Sequence, residues 1–212
     1  MLEISINNTQ LQLLKEKAIY WPEQSTLILA DLHLGKITHF RKAGIGLPPE
    51  VENDNFERLS QLIFNFQPRV VLILGDLFHS HHNHQWERFR EFCGYFKACQ
   101  FVLVMGNHDI LAPMAYQIDR LTCHSETYLL APFIFSHHPL KQQGAYNMCG
   151  HIHPSIRLAG RGLQSIKLPC FHFTEQGVTL PAFGSFTGTA VIKPSKKDEV
   201  YAITEERVIK VL

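Results

Sequence analysis

The chain is short of charge, of paired cysteines and of long apolar runs, and each shortage removes a class of protein. Charged residues are 18% of the 212 and leave a net charge of +1. No global field therefore advertises a polyanion, and any nucleic-acid contact has to come from a local patch. The five cysteines (Cys93, Cys99, Cys123, Cys149, Cys170) are odd in number and form no C-x-x-C pair, which argues against a disulfide framework. With no charged stretch leading into an apolar one at the start, the expectation is a reduced, cytoplasmic protein. No apolar run approaches the ~18 residues that span a bilayer, so no membrane association is expected. Internal repeats and low-complexity tracts are missing too. What is present is a 45% share of apolar residues, enough for a large core, at a length that suits one domain over residues 1–212. Histidine is the excess, with 13 residues unevenly spread.

The opening "LEISINNTQLQLL" alternates apolar and polar residues on either side of Asn7 and Asn8, which predicts a hairpin at a sheet edge. Five short apolar runs follow, at 26–31, 70–76, 101–107, 133–137 and 146–151. Runs this short and this rich in Val, Ile, Leu and Phe fit buried strands better than helices. Between them, "EVENDNFERLSQLIFNF" after Pro48-Pro49 and "HQWERFREFCGYF" carry apolar residues at helical spacing. Strand and helix alternation predicts an α/β fold. After His153 the texture becomes short β-like pieces broken by Gly and Pro, which reads as a second, mostly antiparallel sheet packed on the first.

Each of the five runs ends in Asp, Asn or His: Asp31 with His33, Asp76, Asn107 with His108 and Asp109, His137 with His138, and His151 with His153. Ligands in α/β sheets collect at the carboxyl ends of strands, so these ends are expected to converge. On extended strands Asp31 and His33 would share a face, as would His151 and His153, with Leu32 and Ile152 turned to the core. Gly75, Gly106 and Gly150 precede three of these positions, where a missing Cβ permits close approach. Two carboxylates, one amide oxygen and four imidazoles, with no thiolate, suit Mn²⁺, Fe or Zn²⁺ rather than Ca²⁺ or a Cys-type structural zinc. Seven donors exceed one catalytic ion with an open position. They suit two ions sharing a carboxylate with a water between, the arrangement for phosphoester hydrolysis. His108, if it is not a ligand, is placed to protonate the leaving alkoxide, with Asp109 orienting that imidazole.

In order along the chain, D31-L-H33, G75-D76, G106-N107-H108-D109, H137 and G150-H151-I-H153 resemble the signature of the calcineurin-like metallophosphoesterase superfamily. "ADLHLGK", "GDLFHS" and "LPAFGSFTG" resemble its bacterial ligase-associated DNA damage response endonuclease group. The resemblance implies a four-layer α/β/β/α sandwich of two mixed sheets flanked by helices. It implies one divalent metal on Asp31, His33, Asp76 and His153, and a second on bridging Asp76 with Asn107, His137 and His151. It further implies catalysis by His108, DNA or another phosphodiester as substrate, Mn²⁺ ahead of Fe or Zn²⁺, and a functional association with a DNA ligase or helicase.

Several features also have plainer readings. His137 matches the superfamily position, which leaves His138 as an outer or surface residue. "HSHHNH" at 79–84 reads as a solvated loop before a helix, with His79 a candidate substrate or metal neighbour. Lys36, Arg41 and Lys42 lie just beyond the first ligand pair and could neutralise phosphate or simply line a solvated helix. A phosphomonoesterase or small-nucleotide hydrolase would use the same residues. A non-catalytic interaction scaffold on this fold is a third reading, against which His108 and the complete donor set speak.

Overall fold

The computed structural model describes residues 1–35, 51–78, 84–141, 144–160, 164–185 and 187–212. The first sheet is seven-stranded and its order follows the chain: β1 (Leu2–Ile6), β2 (Thr9–Leu14), β3 (Ala18–Trp21), β4 (Thr26–Leu29), β5 (Val70–Leu74), β6 (Gln100–Val104) and β7 (Leu121–His124). Strands β1 to β4 pair antiparallel and β4 to β7 parallel. The expected edge hairpin is present: Ile6 pairs with Thr9, and Asn7 and Asn8 take φ of 50° and 61°. A two-residue hairpin turn requires that conformation, and asparagine tolerates it. Helix α1 (Val51–Phe66) precedes β5, and helix α2 (His84–Tyr95) lies between β5 and β6.

The nine-stranded second sheet contains β8 (Thr127–Leu130), β9 (Phe133–Ser136), β10 (Tyr146–Cys149), β11 (Pro154–Ala159), β12 (Ser165–Phe173), β13 (Gly177–Thr179), β14 (Ala190–Val191), β15 (Glu199–Ile203) and β16 (Val208–Lys210). It begins before the place expected from the sequence, because the chain leaves the first sheet between His124 and Thr127. It is also mixed: β9, β10 and β13 run parallel. A short buried run looks the same in either sheet, so the crossover left no mark in the pattern.

Period-two alternation in the first sheet builds the layers. Leu27, Leu29, Val71, Ile73, Phe101 and Leu103 face one way and pack with Leu59, Leu62, Phe89 and Cys93 of the helices. Ile28, Ala30, Leu72, Leu74, Val102 and Val104 face the other way and pack with Phe133, Phe135, Met148, Phe171 and Val178 of the second sheet. Burying both faces explains why these strands are apolar throughout. None of the described helices is long and apolar enough to cross a membrane.

All five cysteines are free, and only Cys123 is more than marginally exposed. Burial raises the Cys149 and Cys170 thiols to about 12 and those of Cys99 and Cys123 to about 11, and it lifts Cys93 further. The thiolate is the reactive form. At pH 8 an aromatic disulfide reagent is therefore expected to label the native protein very slowly and all five thiols after denaturation. Fast native labelling would contradict this packing.

Candidate metal centre

The chain leaves β4, β5 and β10 through residues bent into the left-handed region: Asp31 (φ 55°), His33 (47°), Asp76 (51°), His151 (67°) and His153 (52°). None of them is glycine. Such conformations cost on the order of 1–3 kcal/mol each and gather at functional sites. The same-face expectation is thus corrected in its cause. Asp31 and His33 converge because left-handed residues alternate after the strand, held by Asp31 N–H to Gly75 O (3.1 Å) and His33 N–H to Asp76 O (2.9 Å). Leu32 is buried as expected, but Ile152 is 39% exposed and lies outside the core.

The seven predicted donors come together. Asp31 is 0%, Asp76 2%, His137 2% and His33 4% exposed. The Asp31 carboxylate accepts the His151 N–H at 2.9 Å, which ties the ends of β4 and β10. Asp76 lies between two histidines, with Oδ2 3.8 Å from His33 Nε2 and Oδ1 3.4 Å from His137 Nε2. A Cβ on Gly75, Gly106 or Gly150 would collide with His137, Asp76 or Asp31 respectively, so the three glycines admit the donors as the sequence suggested.

The proton pattern tests whether these residues fit cations. His137 Nδ1 bonds the Leu74 carbonyl (3.1 Å) and His153 Nδ1 that of Gly188 (3.0 Å). A carbonyl only accepts, so Nδ1 is the donor in both, and in the neutral imidazole each Nε2 presents a lone pair. His137 Nε2 meets Asn107 Oδ1 at 3.0 Å and His151 Nδ1 at 3.1 Å. His153 Nε2 meets His33 Nε2 and Asp31 Oδ1, each at 3.4 Å. Burial first, then the His138 and His137 imidazoles, hold the His151 pKa below its ordinary value and favour the neutral, ligating form. Carboxylate and amide oxygens brought together with imidazole nitrogens at the ends of buried strands fit divalent cations, and oxygen with imidazole nitrogen is the set for Mn, Fe or Zn.

Asp109 also serves the backbone. Its oxygens accept the backbone N–H groups of Gly106 (2.9 Å) and Phe78 (3.2 Å), fastening the loop after β6 to the loop after β5. Burial pushes this carboxyl up to about 6 against the pull of those amides. The His108 backbone N–H donates to Asp76 Oδ1 (2.9 Å), and its ring stands 5.6 Å from that of His33. Lys36, Arg41, Lys42 and His79 lie outside the described residues.

The structure adds Asn147 and brings His138, read from the sequence as an outer or surface residue, against the site. His138, exposed, lays its ring 4.1 Å from that of His151, and its nitrogen falls within 4.8 Å of ligand atoms of His137 and His151. The doubled histidine was its only signal. Buried Asn147 donates to Ile134 O (3.0 Å) and Ser136 Oγ (2.9 Å) and accepts from Leu140 N–H (2.9 Å), while Ser136 Oγ donates to His138 O (2.6 Å). Together they tie down the turn carrying His137 and His138. An asparagine inside the apolar run "YNMC" was the available clue.

Carboxylates and imidazoles gathered at strand ends of two packed sheets define a metal-dependent phosphoesterase. Residues 25–185 match the family model described as calcineurin-like phosphoesterase, and the chain belongs to that family of dinuclear-metal hydrolases. A crystal structure of the Pseudomonas putida nuclease MPE is similar to it over 99% of each chain, at 30% sequence identity and a TM-score of 0.84. A comparison with curated proteins found no match.

Proposed function

We propose that this protein is a metal-dependent phosphodiesterase acting on DNA, an endonuclease or DNA-processing enzyme of the reduced cytoplasm. What carries the reading is a seven-donor centre in a chain similar, end to end, to a nuclease. One metal would be held by Asp31, His33, Asp76 and His153, and the other by Asp76, Asn107, His137 and His151, with Mn²⁺ the first choice and Fe or Zn²⁺ the alternatives. Asp31 also lies among groups on both sides, but its approach to His137 is through Nδ1, whose proton goes to Leu74. Asp76 would therefore be the carboxylate shared by the two positions. When bound, two such ions lower the pKa of a water toward neutrality and draw charge from the phosphoryl oxygens.

The chain's own residues do the rest. Asp76 holds the His108 backbone by its N–H, which keeps the imidazole beside His33 at the mouth of the centre. From there His108 delivers a proton to the departing alkoxide oxygen as the P–O bond breaks. Lys36, Arg41 and His79 are proposed as phosphate contacts, and association with a DNA ligase or helicase belongs to the same proposal.

The test is hydrolysis, with added Mn²⁺, of bis-nitrophenyl phosphate, nitrophenyl phosphate and single-stranded circular DNA. Turnover of the diester and nicking of the circle are expected. Turnover of the monoester alone would move the assignment to a phosphomonoesterase or nucleotide hydrolase. A protein that binds no metal and turns over none of the three would be a scaffold on this fold.

A further inference from the structure

The stretch "LPAFGSFTG" has no part in the chemistry above, yet it touches both halves of one metal position. Ala182 bridges to Ala30 in parallel register. Phe183 N–H donates to Ala30 O (2.8 Å) and Gly184 N–H to Asp31 O (3.0 Å). A Cβ at Gly184 would collide with the Leu32 carbonyl, so only glycine lets this strap lie flat against the ligand loop. Beyond it, the Gly188 carbonyl takes the Nδ1 proton of His153.

Helix α1 grips the strap. Asn55, 7% exposed, donates from Nδ2 to the carbonyl of Leu32 (3.2 Å), the residue between Asp31 and His33. Its Oδ1 accepts the Ser185 N–H (3.0 Å) and Arg58 Nη2 (3.0 Å). Arg58 also donates to Phe183 O and lies 4.3 Å over the Phe183 ring, and Ser185 Oγ donates to Asp54. One amide side chain thus joins the left-handed Asp31–His33 backbone to the strap that braces it. The hydrogen bonds that Asn55 and residues 182–185 make to the ligand loops end on Ala30, Asp31 and Leu32.

We infer that Asn55, acting through the strap at 182–185, is a positioning residue for the metal position of Asp31, His33, Asp76 and His153, and that it sets that position's affinity separately from the other's. The inference rests on the two-metal reading above. Without the Leu32 contact the left-handed turn has one fewer restraint, and the Asp31 and His33 donors lose their shared aim. Removing an outer partner of a metal ligand typically lowers affinity ~10–100-fold.

Metal-free wild type, Asn55→Ala and Asn55→Asp are titrated with Mn²⁺ and followed by calorimetry and electron paramagnetic resonance. Wild type should bind two ions and develop an exchange-coupled signal. Asn55→Ala should lose ~10–100-fold in affinity at one position while the other stays within about 2-fold, so that a mononuclear pattern replaces the coupled one. Asn55→Asp keeps the acceptor for Ser185 and Arg58 but not the donor to Leu32. It should repeat the loss without unfolding, which covers the case that the alanine variant fails to fold. Adding His153→Ala to Asn55→Asp should deepen the loss at that same position only, whereas adding His151→Ala should weaken both positions. Equal weakening of both positions by Asn55→Asp, or no weakening, overturns the positioning role and leaves the metal reading standing. A wild type that takes fewer than two ions overturns both.

Discussion

Asp76→Asn is expected to abolish phosphodiester hydrolysis and, at the same time, to give a metal-free protein more resistant to heat than the wild type. Both effects come from one side chain. Asp76 faces His33 with one oxygen and His137 with the other, and it is nearly fully buried. Outer partners of metal ligands are worth ~10–100-fold, so removing the carboxylate common to both positions should cost on the order of 10³-fold or more in kcat/KM, about 4 kcal/mol of transition-state stabilisation. Without metal the sign reverses. Two buried carboxylates, Asp31 and Asp76, then share one site with only backbone N–H groups and imidazoles around them, and an amide of the same shape removes one charge while its Oδ1 still accepts the His108 N–H. Melting curves with and without Mn²⁺ check this: wild type should gain stability from the metal by mass action, and Asp76→Asn should begin higher and gain little. Unchanged activity would remove Asp76 from the centre. A lower metal-free melting temperature would show that its charge is compensated by other groups.

The strand ends that build this centre were legible because burial and polarity leave opposite marks: an apolar run of about five residues, then Asp, Asn or His. Helix α1 was legible as far as its C-terminal end, since Pro68 stops an apolar stripe of helical period. The backbone that aims the donors was not. Glycine and asparagine are the usual marks of positive φ, but Asp31, His33, Asp76, His151 and His153 adopt it without being either. The surrounding structure holds them there, through bonds such as Gly184 N–H to Asp31 O across a long separation in sequence. The backbone role of Asp109 was hidden for a related reason: adjacency to His108 suggested a side-chain pair, and the amides of Gly106 and Phe78 come to its oxygens only once the two loops meet. Asn55 was invisible because its partner, Leu32 O, is a backbone atom on another element.

His108→Ala separates chemistry from binding by the leaving group. Cleaving DNA expels a sugar alkoxide, a strong base that needs a proton as the P–O bond breaks, whereas nitrophenolate leaves as a stable anion. A positioned general acid contributes ~10²–10⁴-fold where the proton is needed. DNA nicking by His108→Ala should therefore fall within that range, while bis-nitrophenyl phosphate turnover should fall only about 3-fold or less, with KM nearly unchanged. Asp109→Asn supplies the contrast. Its new NH₂ would point at a backbone N–H that now has a carboxylate partner, leaving a buried donor unsatisfied at about 1–3 kcal/mol. That loosens the loop carrying both Asn107 and His108, so it should slow the two substrates by similar factors and lower the melting temperature. Equal losses on both substrates for His108→Ala would instead make His108 a part of the scaffold. Selective loss on DNA for Asp109→Asn would restore it as the partner of the acid, against the amide bonds its oxygens make.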